Sequence, residues 1–480
     1  MTQVSITGGY SKDPQVERSL QYSLRDGVAY AVMTGAGEIY FSAYALFLKA
    51  TTTQIAFLAA VPALLGSFAQ LFSAWLARRS GQRKKIILGG VMLQTLTWLP
   101  IIWLPYFFPA YAVPIMIVAV MFYYATGNIA SPLWNSLMGD LVPEQKRGRF
   151  FAQRTRRMSL TTFAALIIAG AVLHFTDMQG VTRLGFLLIF NVAIMARLYS
   201  LYQLSRMLEP PSMMDAMEPV FTRDLLPRLR RSQFARFSVF VGLMSFSVAL
   251  ASPFFTVYML RDLHFSYLQF TAITAVSVLT QFMTLTMWGR VSDAFGNRLI
   301  LVATGFSIPF LPLLWLVSTN FWYIAVIQVF NGLCWAGFSL SASNFIYDTV
   351  TPDKRARYGA MHSILSNAGV FSGALLGGYL GSLLPAQVTL LGYTLHWPSS
   401  LCWLFLISGC VRAAMALIFL PRLREMRSVR PLPFPSLIYR VTQFHALSGL
   451  VFSLLPFGQG RRRRPRRVVS GPRGQQESPD

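Results

Sequence analysis

Gly289-Arg290-Val291-Ser292-Asp293-Ala294-Phe295-Gly296-Asn297-Arg298, a short charged stretch between two long apolar runs, decides how the chain is read. A worn copy, Ala74-Trp75-Leu76-Ala77-Arg78-Arg79-Ser80-Gly81-Gln82-Arg83, stands 215 residues earlier between two further apolar runs, with Arg78 in the place of Asp293. Other pairs extend the pattern. Gly139–Arg149 (GDLVPEQKRGR) mirrors Tyr347–Arg357 (YDTVTPDKRAR), so that Asp140 and Asp348, Arg147 and Arg355, and Arg149 and Arg357 are all 208 apart. Arg197 and Arg412 are again 215 apart. Self-similarity in matching places marks a chain built by halves.

Apolar residues make up 54% of the 480 and charged ones 12%, far fewer than a soluble domain carries. A hydrocarbon core of about 30 Å takes about 20 mostly apolar helical residues, and such segments fall near 27–49, 52–77, 86–107, 109–138, 158–176, 184–207, 237–260, 266–288, 299–319, 321–347, 358–384 and 398–420. The expected fold is therefore all-α and integral to the membrane, with twelve transmembrane helices in two pseudo-symmetric six-helix bundles at 27–208 and 237–420. Residues 1–26 form an N-terminal segment, 209–236 a polar linker and 421–480 a basic tail. The formal charge of +24 becomes intelligible once it is placed. Of 42 Lys and Arg, the loops on one side hold only Lys49, Arg183 and Arg261, and all the others outside helices lie on the side of both termini. Basic loops stay in the cytoplasm, so both termini are expected there, in a multi-pass protein of a bacterial inner membrane.

The two glycine-bounded stretches resemble the loop signature of the major facilitator superfamily, G-x-L-a-D-r-x-G-r-k, which joins helices 2 and 3 and, in weaker form, helices 8 and 9. The later copy keeps Gly289, Asp293, Gly296 and Arg298; the earlier one keeps Leu76, Ala77, Arg79, Gly81 and Arg83. The resemblance covers roughly residues 25–420 and implies a secondary transporter that moves a small solute by alternating access, coupled to protons. It also implies that Asp293, with Arg298, Arg355 or Arg357 near it, latches the cytoplasmic side, and that Gly81, Arg83, Asp140, Arg147, Gly289, Gly296 and Asp348 belong to the same gate. Charge-assisted contacts at a helix end can be made in one conformation and lost in another; the same residues also read as solvated topology signals. Helix 5 has Gly170 but no proline, so the family's glycine-proline-glycine antiporter signature is not matched.

Charges inside helices carry the site expectation. Glu38 lies near the middle of the first helix with no basic residue within a helical turn. An ionisable group at that depth is costly and marks a functional site by default: it can carry a coupling proton, bind a cation or touch substrate. The alternative is a protonated packing residue beside Gly35 and Gly37. Arg197 and Arg412 fall in helices that the resemblance places at the periphery, where long side chains snorkel. Polar stripes at helical spacing, Tyr124, Asn128, Ser131 and Asn135 on helix 4 and Gln328, Asn331 and Trp335 on helix 10, read either as cavity lining or as interhelical glue.

Cys334, Cys402 and Cys410 sit in apolar runs and form neither a disulfide framework nor a metal site. No nucleotide-binding loop, paired histidine ligands or nucleophile–base pair is present, so neither an enzyme nor a cofactor is expected. Leu437–Phe457 reads as an interfacial helix ahead of a polybasic end that attracts anionic lipid rather than nucleic acid. The expected state is a monomer in the bilayer. The rival class is a non-transporting sensor or lipid-handling protein on the same scaffold.

Overall fold

The computed structural model describes residues 9–425, apart from 12, 144–145, 211–231, 351–354, 386 and 391–392. Most of the expected linker at 209–236, the tail beyond 425 and the interfacial helix at 437–457 lie outside the described residues. Among those described, eleven helices are long and apolar enough to cross a membrane, from Thr52–Ala77 to Leu401–Arg422. A further helical segment precedes them: Pro14–Ala36 runs through a 3-10 turn at Glu38–Tyr40 into Phe41–Phe47.

The helix ends show how deep the internal repeat goes. Lys49 (φ 65°) and His264 (φ 53°) are the two non-glycine residues with positive φ among those described, and they are 215 apart. Each is followed by a capping box: Thr51 accepts from the backbone of Gln54 while the Gln54 side chain accepts from Thr51, and Ser266 and Gln269 do the same. Gly81 (φ 64°, ψ 5°) and Gly296 (φ 86°, ψ 164°), again 215 apart, end the helices Thr52–Ser80 and Tyr267–Phe295 at positive φ, the first left-handed and the second extended, both of which glycine tolerates. The repeat thus keeps its helix starts in backbone geometry and its helix ends in the glycine alone.

In the first half, Pro14–Ala36 packs on Arg147–Met178 and Thr182–Ser205, while Thr52–Ser80 and Arg83–Leu96 pack on Ala112–Leu141. In the second, Gln233–Ala249 packs on Arg355–Leu383, and Tyr267–Phe295 and Asn297–Ser307 pack on Phe321–Thr349. Small residues let backbones approach. A Cβ at Gly369, Gly373 or Gly377 would stand 2.2, 2.2 or 2.4 Å from the carbonyl oxygens of Gly242, Phe246 and Leu250. Backbone cannot retreat as a side-chain tip can, so Gly373→Leu is expected to cost about 3 kcal/mol or more. Thermal unfolding and gel filtration of the detergent-purified variant check this; a monodisperse protein with unchanged unfolding temperature contradicts it.

Two seams join the halves, Thr52–Ser80 against Arg355–Leu383 and Arg147–Met178 against Tyr267–Phe295. Three side-chain hydrogen bonds cross between the halves among the described residues: Tyr40 with Thr271 (2.9 Å), Arg261 to Thr52 (3.1 Å) and Asn367 to Ser67 (2.6 Å). All three lie at mid-helix or towards the end remote from Gly81 and Gly296. That remote end is also where Gly378 faces Ala56, Gly381 faces Thr52 and Gly170 faces Thr271.

Two expectations are corrected. Residues 14–26 are not a segment apart from the bundle, because Pro14–Ala36 is one helix that buries Leu20, Ser23, Leu24 and Asp26; its polar residues are spent inside the fold, as shown below. The first helix is not continuous over 27–49 but breaks at Gly37. The expected all-helical class stands, with one short hairpin in a connection, where Gln387–Leu390 pairs antiparallel with Tyr393–His396. Alternating β-branched and aromatic residues favour strands there, in a connection too short for another helix.

Candidate functional site

The break at Gly37 determines where Glu38 points. The helix ends with Gly37 at φ −122°, ψ −67°, and Glu38 opens a single 3-10 turn. Its carboxylate accepts one hydrogen bond at each oxygen, from Tyr124 Oη (2.9 Å, Oε1) and Tyr123 Oη (3.1 Å, Oε2). Two consecutive tyrosines of Ala112–Leu141 therefore straddle one carboxyl. Phe41 sets its ring edge-to-face against both, with centroids 5.3 Å from Tyr123 and 6.5 Å from Tyr124. Neither flanking glycine leaves open space. A Cβ at Gly35 would lie 2.5 Å from the Thr162 carbonyl oxygen, and one at Gly37 would lie 2.4 Å from the Trp98 ring. The glycines let helix 1 dock; they do not clear a path to Glu38.

Beside the carboxyl is a cavity of about 420 Å³, lined by Glu38, Ser42, Tyr124, Asn128 and Asn367, with Phe41, Leu58, Pro62 and Val120 among its apolar walls. Its volume falls within the range of small-molecule sites. Asn128 is fixed from both sides, donating to the Tyr124 carbonyl oxygen (2.8 Å) and accepting from Gln70 Nε2 (2.8 Å). The structure thus brings together Glu38, Tyr124 and Asn128. Asn135 is exposed and lies outside the cavity. The stripe on Phe321–Thr349 also lies outside it: Asn331 donates to Ser277 Oγ (3.0 Å), Trp335 packs its ring on Phe338, and Gln328 is half-buried. Asn367 comes from the other half and was not foreseen. It stands two positions before Gly369, and an amide beside a run of glycines on a seam helix was the available signal.

A second polar cluster ties the first half together. Asp26, 3% exposed, accepts from Arg154 (3.2 Å) and from Ser200 Oγ (2.6 Å). Ser200 also receives Arg197 Nη1 (2.9 Å), and Arg197 Nε and Nη2 both reach Gln94 Oε1 (3.0 and 2.6 Å). Arg197 further covers the Tyr30 ring at 5.1 Å, and Arg154 covers Trp134 at 4.2 Å. Arg197 therefore does not snorkel; it is buried and hydrogen-bonded. Its repeat partner Arg412, 3% exposed, reaches only the Val248 carbonyl oxygen (3.4 Å), and its Nε finds no partner among the described residues. The halves match in backbone and differ in charge.

The loop residues brace helix ends within each half. Arg83, 2% exposed, donates from Nη1 to Asp140 (2.7 Å) and Ser136 (2.9 Å), and Arg147 caps the carbonyls of Gly139 (2.7 Å) and Val142 (3.2 Å). In the second half Asn297 donates to Asp348 (2.7 Å) and accepts from Ser292 (2.6 Å). Arg298 turns away, giving Nε to the Leu423 carbonyl oxygen (2.6 Å) and its backbone N–H to Glu425 (2.8 Å). Asp293 is exposed and makes no ion pair among the described residues. Gly289 lies within the helix Tyr267–Phe295, facing open space. The side chains of Arg355 and Arg357 lie outside what is described.

Losing the acid strands a buried guanidinium, so Asp140→Asn is expected to lower stability by about 1–2 kcal/mol, a figure reduced for the partial exposure of Asp140. Asp293→Asn should leave the unfolding temperature unchanged. The ranking is read by thermal unfolding in detergent, and equal effects at the two positions count against it.

Helices of membrane length in two matched groups, with a polar cavity at their joint, define a polytopic membrane protein of transporter fold. The chain belongs to the MFS_1-like family, whose model matches residues 29–389. No curated protein sequence matches it. Among solved structures it is similar to a point-mutant form of the nucleoside transporter NupG (TM-score 0.65, 13% identity, covering 85% of this chain and 100% of that one). It is likewise similar to a D-xylose–proton symporter (TM-score 0.65, 14% identity, 86% and 98%). A third is a bacterial homologue of the iron transporter ferroportin in its inward-facing state (TM-score 0.62, 14% identity, 84% and 98%). At such identities the likeness is one of fold.

Proposed function

We propose that the chain is a secondary active transporter that moves a small solute by alternating access, with Glu38 carrying the coupling proton. The observation that carries this reading is the cavity of about 420 Å³ at the joint of the halves, with a carboxyl held by two tyrosines at its wall. In this reading Pro14–Phe47 is the first of twelve spans, the spans form two six-helix bundles, and the end bearing Gly81 and Gly296 faces the cytoplasm together with both termini. Among the described residues the hydrogen bonds between halves lie at mid-helix or towards the opposite end, which supports reading this conformation as inward-facing. Asp293 then finds its basic partners only when the cytoplasmic side shuts, so Asp293→Asn favours the inward-open population. Reporters fused at Arg154, Ser232 and Arg473 should read as cytoplasmic; an external signal from the last would add a span and undo the assignment. The decisive experiment is uptake of radiolabelled solutes into proteoliposomes with and without an imposed proton gradient. Gradient-driven accumulation that exceeds empty liposomes supports transport, and none across a broad solute panel removes it.

A further inference from the structure

The valences left free in the cavity identify the class of solute, given the transport reading above. Both tyrosine protons are already directed at Glu38. One N–H of Asn128 Nδ2 is engaged with the Tyr124 carbonyl oxygen and one of Asn367 Nδ2 with Ser67, which leaves one donor on each amide and the Ser42 hydroxyl. The lining side chains retain more acceptors than that: second lone pairs on both Glu38 oxygens and on Asn128 Oδ1, the Asn367 Oδ1, and the Tyr124 and Ser42 oxygens. No Lys, Arg or His lines the space. The nearby guanidinium, Arg197, is committed to Gln94 and Ser200.

Charge and shape then exclude most ligands. An anion would meet an ionised carboxylate with no cation to offset it, in surroundings where such repulsion is poorly screened. A bound metal ion is disfavoured, since no group of three acidic, His or Cys side chains occurs among the described residues. A polyol can meet the free amide and Ser42 protons but brings no positive charge to the Glu38 carboxylate. An ammonium brings three donors and no acceptor. Phe41 and Tyr124 place aromatic rings beside the carboxyl, and Leu58, Pro62 and Val120 provide an apolar wall for a carbon skeleton.

We infer that the cavity binds small organic cations carrying a primary or secondary ammonium, with the nitrogen on Glu38 between Asn128 and Asn367 and the apolar body against Leu58, Pro62 and Val120.

The test uses matched probes on the purified full chain: benzylammonium, benzyl alcohol and benzoate, and propylammonium, propanol and propionate. Binding is read by calorimetry and by the shift in thermal unfolding. The ammonium member of at least one series should bind and its hydroxyl and carboxylate counterparts should not. Glu38→Gln should weaken that binding about tenfold or more, because the charge pair is lost while shape is kept. If an alcohol or acid matches its ammonium, if no ammonium binds, or if Glu38→Gln leaves the affinity intact, the inference fails. Should Glu38→Gln not fold, Asn367→Leu, which removes one acceptor, replaces it, and the wild-type series alone still decides. Counterflow of radiolabelled benzylammonium or propylammonium separates the two readings. Selective binding without flux keeps the cation seat and removes transport; flux of an alcohol without ammonium binding does the reverse.

Discussion

Glu38→Gln is expected to abolish accumulation of solute against its gradient, while counterflow exchange persists once the solute is raised about tenfold or more to offset its weaker binding. The substitution keeps the shape of the side chain and can still accept the hydroxyls of Tyr123 and Tyr124 at one oxygen, but it cannot gain or lose a proton. Coupling requires that a proton be carried in one conformation and released in the other, so a group that does not ionise uncouples the gradient from the solute. Exchange requires only that the loaded protein reorient. The expected loss is complete for accumulation, measured as the steady-state ratio of internal to external solute in proteoliposomes under a proton gradient. A mutant that still concentrates solute with wild-type dependence on pH returns Glu38 to the role of a packing residue.

The second large effect is expected at Gly170. A Cβ there would stand 2.1 Å from Thr271 Oγ1 and 2.5 Å from Thr271 Cβ and Cγ2, where the halves meet. Thr271 also shares the hydroxyl of Tyr40, which donates to the Leu166 carbonyl oxygen at 2.7 Å, so this contact has little freedom to move aside. Gly170→Val is therefore expected to hold apart the end remote from Gly81 and Gly296, the outer one in the proposed orientation. A clash of about 3 kcal/mol shifts the conformational balance about a hundredfold and slows turnover to match. Engineered cysteines at Tyr267 and Ser266 should become reactive towards membrane-impermeant reagents from outside. Thr271→Gly in the same chain should restore closure. Rescue by the second substitution separates a seam contact from a general packing defect, and unchanged reactivity in the single variant would contradict the assignment.

Much of the scaffold was legible in the letters because a repeat survives drift where backbone geometry demands it. Gly81 and Gly296 persist at helix ends that need positive φ, and the capping boxes at Thr51 and Ser266 persist where a chain re-enters a helix. The second pair was overlooked because Thr-x-x-Gln and Ser-x-x-Gln are quiet patterns beside charged loops. Glu38 and Tyr124 were legible from depth and spacing. Tyr123 was not, since adjacent residues on a helix point about 100° apart, and only the turn at Gly37 brings both hydroxyls to one carboxyl. Asn367 was hidden for another reason: no period within one half tells which residue of the other half will face it. Asp26 escaped because RSLQYSLRDG reads as polar chain, and its neutralising partners lie far along the sequence.

Those distances have a consequence for how the protein is made. Arg154 follows Asp26 by 128 residues and Ser200 follows it by 174. At a synthesis rate of about 10 residues per second, Asp26 leaves the ribosome roughly ten seconds before either partner exists. During that interval Asp26 lacks the partners that the folded protein gives it, so its burial has to wait for them. Only when Arg147–Met178 and Thr182–Ser205 have been made can its carboxylate be packed away with both hydrogen bonds formed. The break at Gly37 separates the roughly two apolar turns of Phe41–Phe47 from this polar part, so docking of Pro14–Ala36 is expected to be completed from the far end of the first half backwards.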